Sequence, residues 1–272
     1  MQLVPVKFLF IKKIHCCLKS PGYCEISGVW LIAKSSFQRK NLVGLGVVAA
    51  TTTLLIIKDQ HIINWVRKTS DDMELNPEDK FHIIWKIGDT KIIKSPKNLN
   101  SALYQIGEGG VSMALAGGLW IYGKIEKDKR AIGTSYDLAE TFMTMGVTSQ
   151  IIKRVTGRES PFMATVPGGK WTPFPSFKAY QSNTSAYDAF PSGHLATMMA
   201  TVTVLSDNYP EKKWIKPVGY SLIGLSAWAM MNTEVHWAGD YPLAIGIGYL
   251  SGKITTWRHQ SKNKRVSKKI IL

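Results

Sequence analysis

Six apolar runs, each broken by glycine or another small residue, constrain this chain more than any other feature. They cover residues 42–57, 106–123, 132–152, 194–205, 218–232 and 237–257. Apolar and polar residues rarely alternate in the way a half-buried strand requires. The runs therefore predict an all-α fold, a helical bundle of about six helices. "SMALAGGLWIYG" and "LAIGIGYLSG" carry small residues that let helix backbones approach closely. No linker, low-complexity tract or internal repeat divides the chain. One helical domain is expected over 41–257. An N-terminal segment, 1–40, precedes it with no assignable role, and a basic tail, 258–272, follows.

The bundle is expected to be membrane-embedded. A span needs roughly 20 mainly apolar residues. Several runs are shorter, and Asp137 and Glu140 interrupt the third, so length alone leaves a soluble periplasmic or secreted bundle open. Charge placement favours the membrane. With six spans and the N-terminus inside, "FQRK", "KIEKDKR", "EKKWIK" and "RHQSKNKRVSKK" all fall on the cytoplasmic side. The basic stretch 58–105 falls outside and weakens that pattern. The start, "MQLVPVKFLFIKKIHCC", fits a secretory signal poorly, because Lys7 interrupts its apolar run and a basic cluster follows.

A net charge of +15 implies an anionic partner: phosphate groups, a membrane surface or nucleic acid. The tail has no aromatic residue after Trp257 to build a nucleic-acid face, so it reads as a topology-fixing end. Cys16, Cys17 and Cys24 all lie near the start, which leaves the bundle without a disulfide framework.

Three polar stretches stand out. "DAFPSGHLATMMA", 188–200, sets Ser192, Gly193 and His194 at the mouth of an apolar helix. Such a helix start offers unpaired N–H groups and a positive dipole end, and glycine lets an anion come close. "KRVTGRESP", 153–161, places Lys153, Arg154 and Arg158 at the end of the third run. In "NTEVHWAGDYP", 232–242, His236 and Asp240 are four apart and would share one face of a helix. A carboxylate on one imidazole nitrogen fixes the tautomer and leaves the other as a nucleophile. Together the stretches divide the labour of metal-free phosphoryl transfer: cations for the phosphate oxygens, one histidine to attack, one to protonate the leaving oxygen. Each alone has a plainer explanation, as a helix cap, a membrane-flanking charge or a structural hydrogen bond. In the six-span topology all three fall at helix ends on the outer side.

The ordered set, a lysine before proline, Pro-Ser-Gly-His and His-x-x-x-Asp, resembles the type-2 phosphatidic acid phosphatase and vanadium haloperoxidase superfamily. The resemblance covers roughly 42–257, and its specific part runs from Lys153 to Asp240. It implies that His236 is the catalytic nucleophile and forms a phosphohistidine. Asp240 orients it, and His194 acts as general acid and then as base for water. Lys153, Ser192 and Gly193 bind phosphate.

Two positions depart from the family pattern. Ser160 stands where the first motif carries arginine before proline, and Met230 stands six residues before His236 where another arginine belongs. A hydrogen bond to a charged group is worth about 1.5–3 kcal/mol, so two such losses weaken phosphate binding by orders of magnitude. Arg158 is the expected substitute in phosphate binding, ahead of Arg154 and Lys170.

The expected activity is a metal-independent hydrolase of a phosphate monoester or a lipid (pyro)phosphate, with its site outside the cytoplasm. The alternative is a phosphate- or lipid-binding protein of the same fold with little turnover, which the two missing arginines motivate. A vanadate-dependent haloperoxidase fits less well, because the chain is short and lacks both arginines. No cofactor is expected. His-x-x-x-Asp lacks a third nearby metal ligand, and "GEGG" at Gly107 follows no strand.

Overall fold

The computed structural model describes residues 21–78, 81–87 and 90–270. Its helices are α1 (Pro21–Ser36), α2 (Leu42–Asp72), α3 (Leu99–Gly107), α4 (Gly109–Ile125), α5 (Lys129–Thr156), α6 (Phe177–Ser182), α7 (Gly193–Asn208), α8 (Ile215–Asn232) and α9 (Tyr241–Ile270). An antiparallel hairpin, β1 (Phe81–Ile87) and β2 (Thr90–Pro96), lies between α2 and α3.

Each of the six expected helices is present, and local chemistry sets their ends. Asp128 caps α5, accepting from Arg130 N and Ala131 N at 2.7 and 3.2 Å. Gly157, at φ +57°, ends the same helix. A Cβ there would sit 1.9 Å from Thr172 O, so only glycine can make this stop. Ser192 caps α7 through Leu195 N.

Several elements depart from the sequence expectations. The second apolar run does not begin one helix at 106: α3 ends at Gly107 and α4 starts at Gly109. Within 58–105, taken as one outer stretch, lie the last turns of α2, the hairpin and most of α3. The last helix passes Trp257 without a break and reaches Ile270. Helix α1 packs against α5 and α9. Residues 1–20, which hold Cys16, Cys17 and the start that fits a secretory signal poorly, lie outside the described part.

Helix α7 is the hub, touching α4, α5, α8 and α9. Its Leu195, Ala196, Met198 and Met199 enter the main core with Ala244 and Ile247 of α9. The α7–α9 crossing depends on small residues. A Cβ on Gly248 would lie 2.3 Å from Ala196 O, and one on Gly252 would lie 2.8 Å from Thr203 Cβ. Gly117 and Gly118 of α4, by contrast, face nothing within 4 Å.

Asp137 and Glu140, which seemed to spoil a third span, face α9. Glu140 pairs with Arg258 at 2.9 Å and with His259 Nε2 at 3.0 Å, and His259 Nδ1 pairs with Asp137. Among the described residues only α2 is both long and apolar enough to cross a bilayer, and almost none of that stretch is buried.

Candidate active site

The three polar stretches converge at one end of the bundle, where α5 stops and α7 and α9 begin. Backbone hydrogen bonds lace them together. Ala189 N donates to Arg158 O at 3.0 Å, Phe162 N to Glu234 O at 3.0 Å, and Ser192 N to Asp240 O at 3.1 Å. A cavity of about 480 Å³ opens among them, lined by Lys153, Ser160, Asp188, Gly193, His194 and His236, with others.

His194 Nδ1 lies 3.4 Å from His236 Nε2. The ring of Tyr104 supports His194, with centroids 5.2 Å apart. The first turn of α7 thus delivers one imidazole to the cavity and the segment before α9 delivers the other. His236 does not sit on a helix with Asp240. Residues 233–237 are irregular and Ala238–Asp240 is a single 3-10 turn. That turn still places His236 Nδ1 3.4 Å from Asp240 Oδ2, within ion-pair range but not aligned as a hydrogen bond.

Asp240 is fully buried and firmly held. Its Oδ2 accepts from Trp237 N at 2.8 Å and its Oδ1 from Arg158 at 2.7 Å. Burial alone would raise the carboxyl's pKa. The opposing pull of the Arg158 charge and of His236 and the Trp237 N–H holds it below the ordinary carboxylate value.

Arg158 does not line the cavity. Its guanidinium is 0% exposed, behind Asp240 rather than in the cavity. It donates to Asp59 Oδ2 at 2.5 Å, to Asp240 Oδ1 at 2.7 Å and to Gly168 O at 2.7 Å. The rings of Trp171 and Trp237 lie 4.8 and 5.2 Å from it. With two carboxylates to satisfy, the side chain turns inward, and the expectation that it reaches substrate is corrected. Arg154 lies over the Tyr180 ring at 3.3 Å, and neither it nor Lys170 lines the cavity.

Lys153 does line the cavity, where its ammonium donates to Asp188 O at 2.5 Å and to Asp188 Oδ2 at 3.0 Å. Gly193 faces open space: a Cβ there would meet no atom within 4 Å. Ser192 is buried as the cap of α7. Met230 is part of the apolar core and offers only its carbonyl nearby, to Val235 N at 2.9 Å and His236 N at 3.4 Å.

Asp59 and Asp188 escaped the sequence reading. Asp188 stands four residues before Ser192 and was quoted only as the edge of a motif. Asp59 closes an apolar run some hundred residues upstream. Its Oδ1 accepts from Gly239 N at 2.8 Å, which ties α2 to the turn carrying Asp240. Only a reading that paired Arg158 with distant acids would have found it. No group of three or more candidate metal ligands occurs among the described residues.

Comparison with known proteins gives a family match for part of the chain. The stretch 135–264 matches the family model of the PAP2 superfamily. Lys153, His194, His236 and Asp240 all lie within it, whereas Asp59 lies outside it. Over 83 residues the chain is 28% identical to a protein named lipid A 1-phosphatase from Porphyromonas gingivalis, a match that covers 30% of this chain and 19% of that protein. The chain thus spans about a fifth of the length of the curated relative it matches. No solved structure matches this chain.

Proposed function

We propose that the protein is a metal-independent phosphatase acting on a lipid phosphate or pyrophosphate through a phosphohistidine. The observation that carries this reading is the pair of imidazoles 3.4 Å apart at a cavity that also holds Lys153. His236 Nε2 attacks phosphorus, the bond to the leaving oxygen breaks, and protonated His194 gives that oxygen its proton. His194 then takes a proton from water, whose oxygen displaces His236 and releases phosphate. Asp240 stabilises the cationic imidazole, and Lys153 with the N–H groups at Gly193 holds phosphate oxygens. Arg158 and Asp59 act one step back, fixing Asp240. The match to a protein named lipid A 1-phosphatase supports a lipid substrate.

Membrane placement belongs to the same reading. Leu54 and Ile57 of α2, Met113 and Ile121 of α4, and Tyr220 and Leu225 of α8 face outward, as lipid-facing side chains would. Helix α5 runs from Lys129 and Arg130 to Lys153, so the basic turns before α5 and α8 lie at the end away from the cavity. The positive-inside tendency then puts the cavity outside the cytoplasm.

The alternative, a binder with little turnover, draws on the two missing arginines and on Lys153 being the one lysine or arginine among the described residues that line the cavity. One experiment separates the two. With a lipid phosphate in detergent micelles, the full chain should release phosphate. His236→Ala should lower that rate by about three orders of magnitude or more with helical content unchanged. Binding without phosphate release by the unmodified protein would select the binder.

A further inference from the structure

The cavity holds a balanced set of charges. Its described lining carries one ammonium, Lys153, one carboxylate, Asp188, and the two imidazoles. The ammonium is already engaged by both Asp188 oxygens, the carbonyl at 2.5 Å and Oδ2 at 3.0 Å. The Tyr180 hydroxyl also points at Asp188 Oδ2, at 3.4 Å. Behind the imidazoles, Arg158 is shared by Asp59 and Asp240. Among the described residues that line the cavity or hold Asp240, the charged groups are thus two cations and three carboxylates, with Arg154 farther out on the Tyr180 ring.

From this we infer that the pocket selects a phosphoryl group carrying one negative charge: a phosphodiester, or a monoester that keeps one proton. The inference rests on the phosphatase reading and narrows its substrate class. A dianion entering beside Asp188 meets a carboxylate at close range and a lysine that is not free to compensate. A monoanion can share Lys153 with Asp188 and take its remaining hydrogen bonds from the N–H groups at the start of α7. For a diester the chemistry balances as before. His236 Nε2 bonds to phosphorus, one ester P–O bond breaks, and His194 protonates the departing alcohol. Water then cleaves the P–N bond and a phosphate monoester leaves. Asp188 is a specificity residue here, acting through Lys153.

The test compares an alkyl phosphate monoester with its methyl diester on the purified full chain. Lys153, Asp188, His194, His236, Tyr180, Tyr104 and the buried Asp59–Arg158–Asp240 group face both substrates alike. Their own titration therefore cancels in the ratio of the two KM values. Only the monoester changes charge, losing its second proton near pH 6. Its monoanion fraction falls about 30-fold between pH 5 and pH 7.5, so KM(monoester)/KM(diester) should rise about 30-fold. Asp188→Asn should lower the ratio KM(monoester)/KM(diester) at pH 7.5 by about tenfold or more, the order of one charge-assisted hydrogen bond. A ratio flat across that range overturns the inference, whether or not Asp188→Asn folds. So does an Asp188→Asn variant that folds and leaves that ratio unchanged. Binding of an alkylphosphonate and its monomethyl ester reads the same ratio without turnover. Failure of charge selection is thereby distinguished from failure of the phosphatase reading, which His236→Ala reports.

Discussion

The two ends of the bundle each set a histidine against a carboxylate, and they use the pair differently. At the cavity end, Asp240 gives one oxygen to Arg158 and the other to the Trp237 N–H, while His236 stands 3.4 Å off and faces a second imidazole. At the far end, His259 sits between Asp137 and Glu140, with the Asn208 amide also donating to Asp137 and Arg258 pairing with Glu140. Hydrogen bonds to those two acids raise the His259 pKa to about 9. A histidine facing two carboxylates is kept as a cation and serves as a bolt between α5 and α9. A histidine whose carboxylate is already neutralised by arginine, and whose other nitrogen meets a cavity, is placed for chemistry. Residue type does not separate the two roles; the count of charges around each ring does.

Removing the neutralising arginine attacks that contrast most strongly. Arg158→Ala leaves Asp59 and Asp240 buried together without their shared cation. It should cost about 3–5 kcal/mol of stability, read as a fall in denaturation midpoint. Arg158→Lys should fold better than Arg158→Ala yet lower kcat more than KM, because the lysine cannot hold both carboxylates and His236 loses its fixed partner. A rise in KM alone would return Arg158 to the substrate.

Loosening the bolt gives a smaller effect with a defined pH signature. The folded-state pKa of His259 is raised, so its contribution is fully present below about 6.5, the unfolded value, and is lost as pH climbs through about 9. The melting temperature should fall across that window. His259→Gln should be less stable at pH 6 and show a flatter profile, with activity at neutral pH little changed. The smallest effect is expected at Arg154, whose guanidinium rests on Tyr180. Arg154→Ala should cost about 0.5–1 kcal/mol of stability and leave KM within twofold.

Much of this was legible in the sequence for physical reasons. Helices were legible because apolar runs are local, and the start of α7 because Ser192 is a local cap, whereas Asp128 and Gly157, which set the ends of α5, were passed over. Lys153, His194, His236 and Asp240 were legible as a group because phosphoryl transfer needs those side-chain types together. The role of Arg158 was not, because its direction depends on Asp59, 99 positions away, and no local pattern reports a buried pair. The hairpin and α3 were missed because their apolar runs are short. His236 and Asp240 meet through a turn rather than a helix, since four-residue spacing admits both.

The central claim is that His236 takes the phosphoryl group while His194 faces it across the cavity. Incubating the full chain with a phosphate ester labelled on phosphorus, quenching by rapid denaturation during turnover and mapping the labelled peptide tests it directly. The account predicts label on His236, absent in His236→Ala and accumulating in a His194 variant that cannot activate water. Turnover with no trapped label in either protein, or label on another residue such as Ser192, would contradict it.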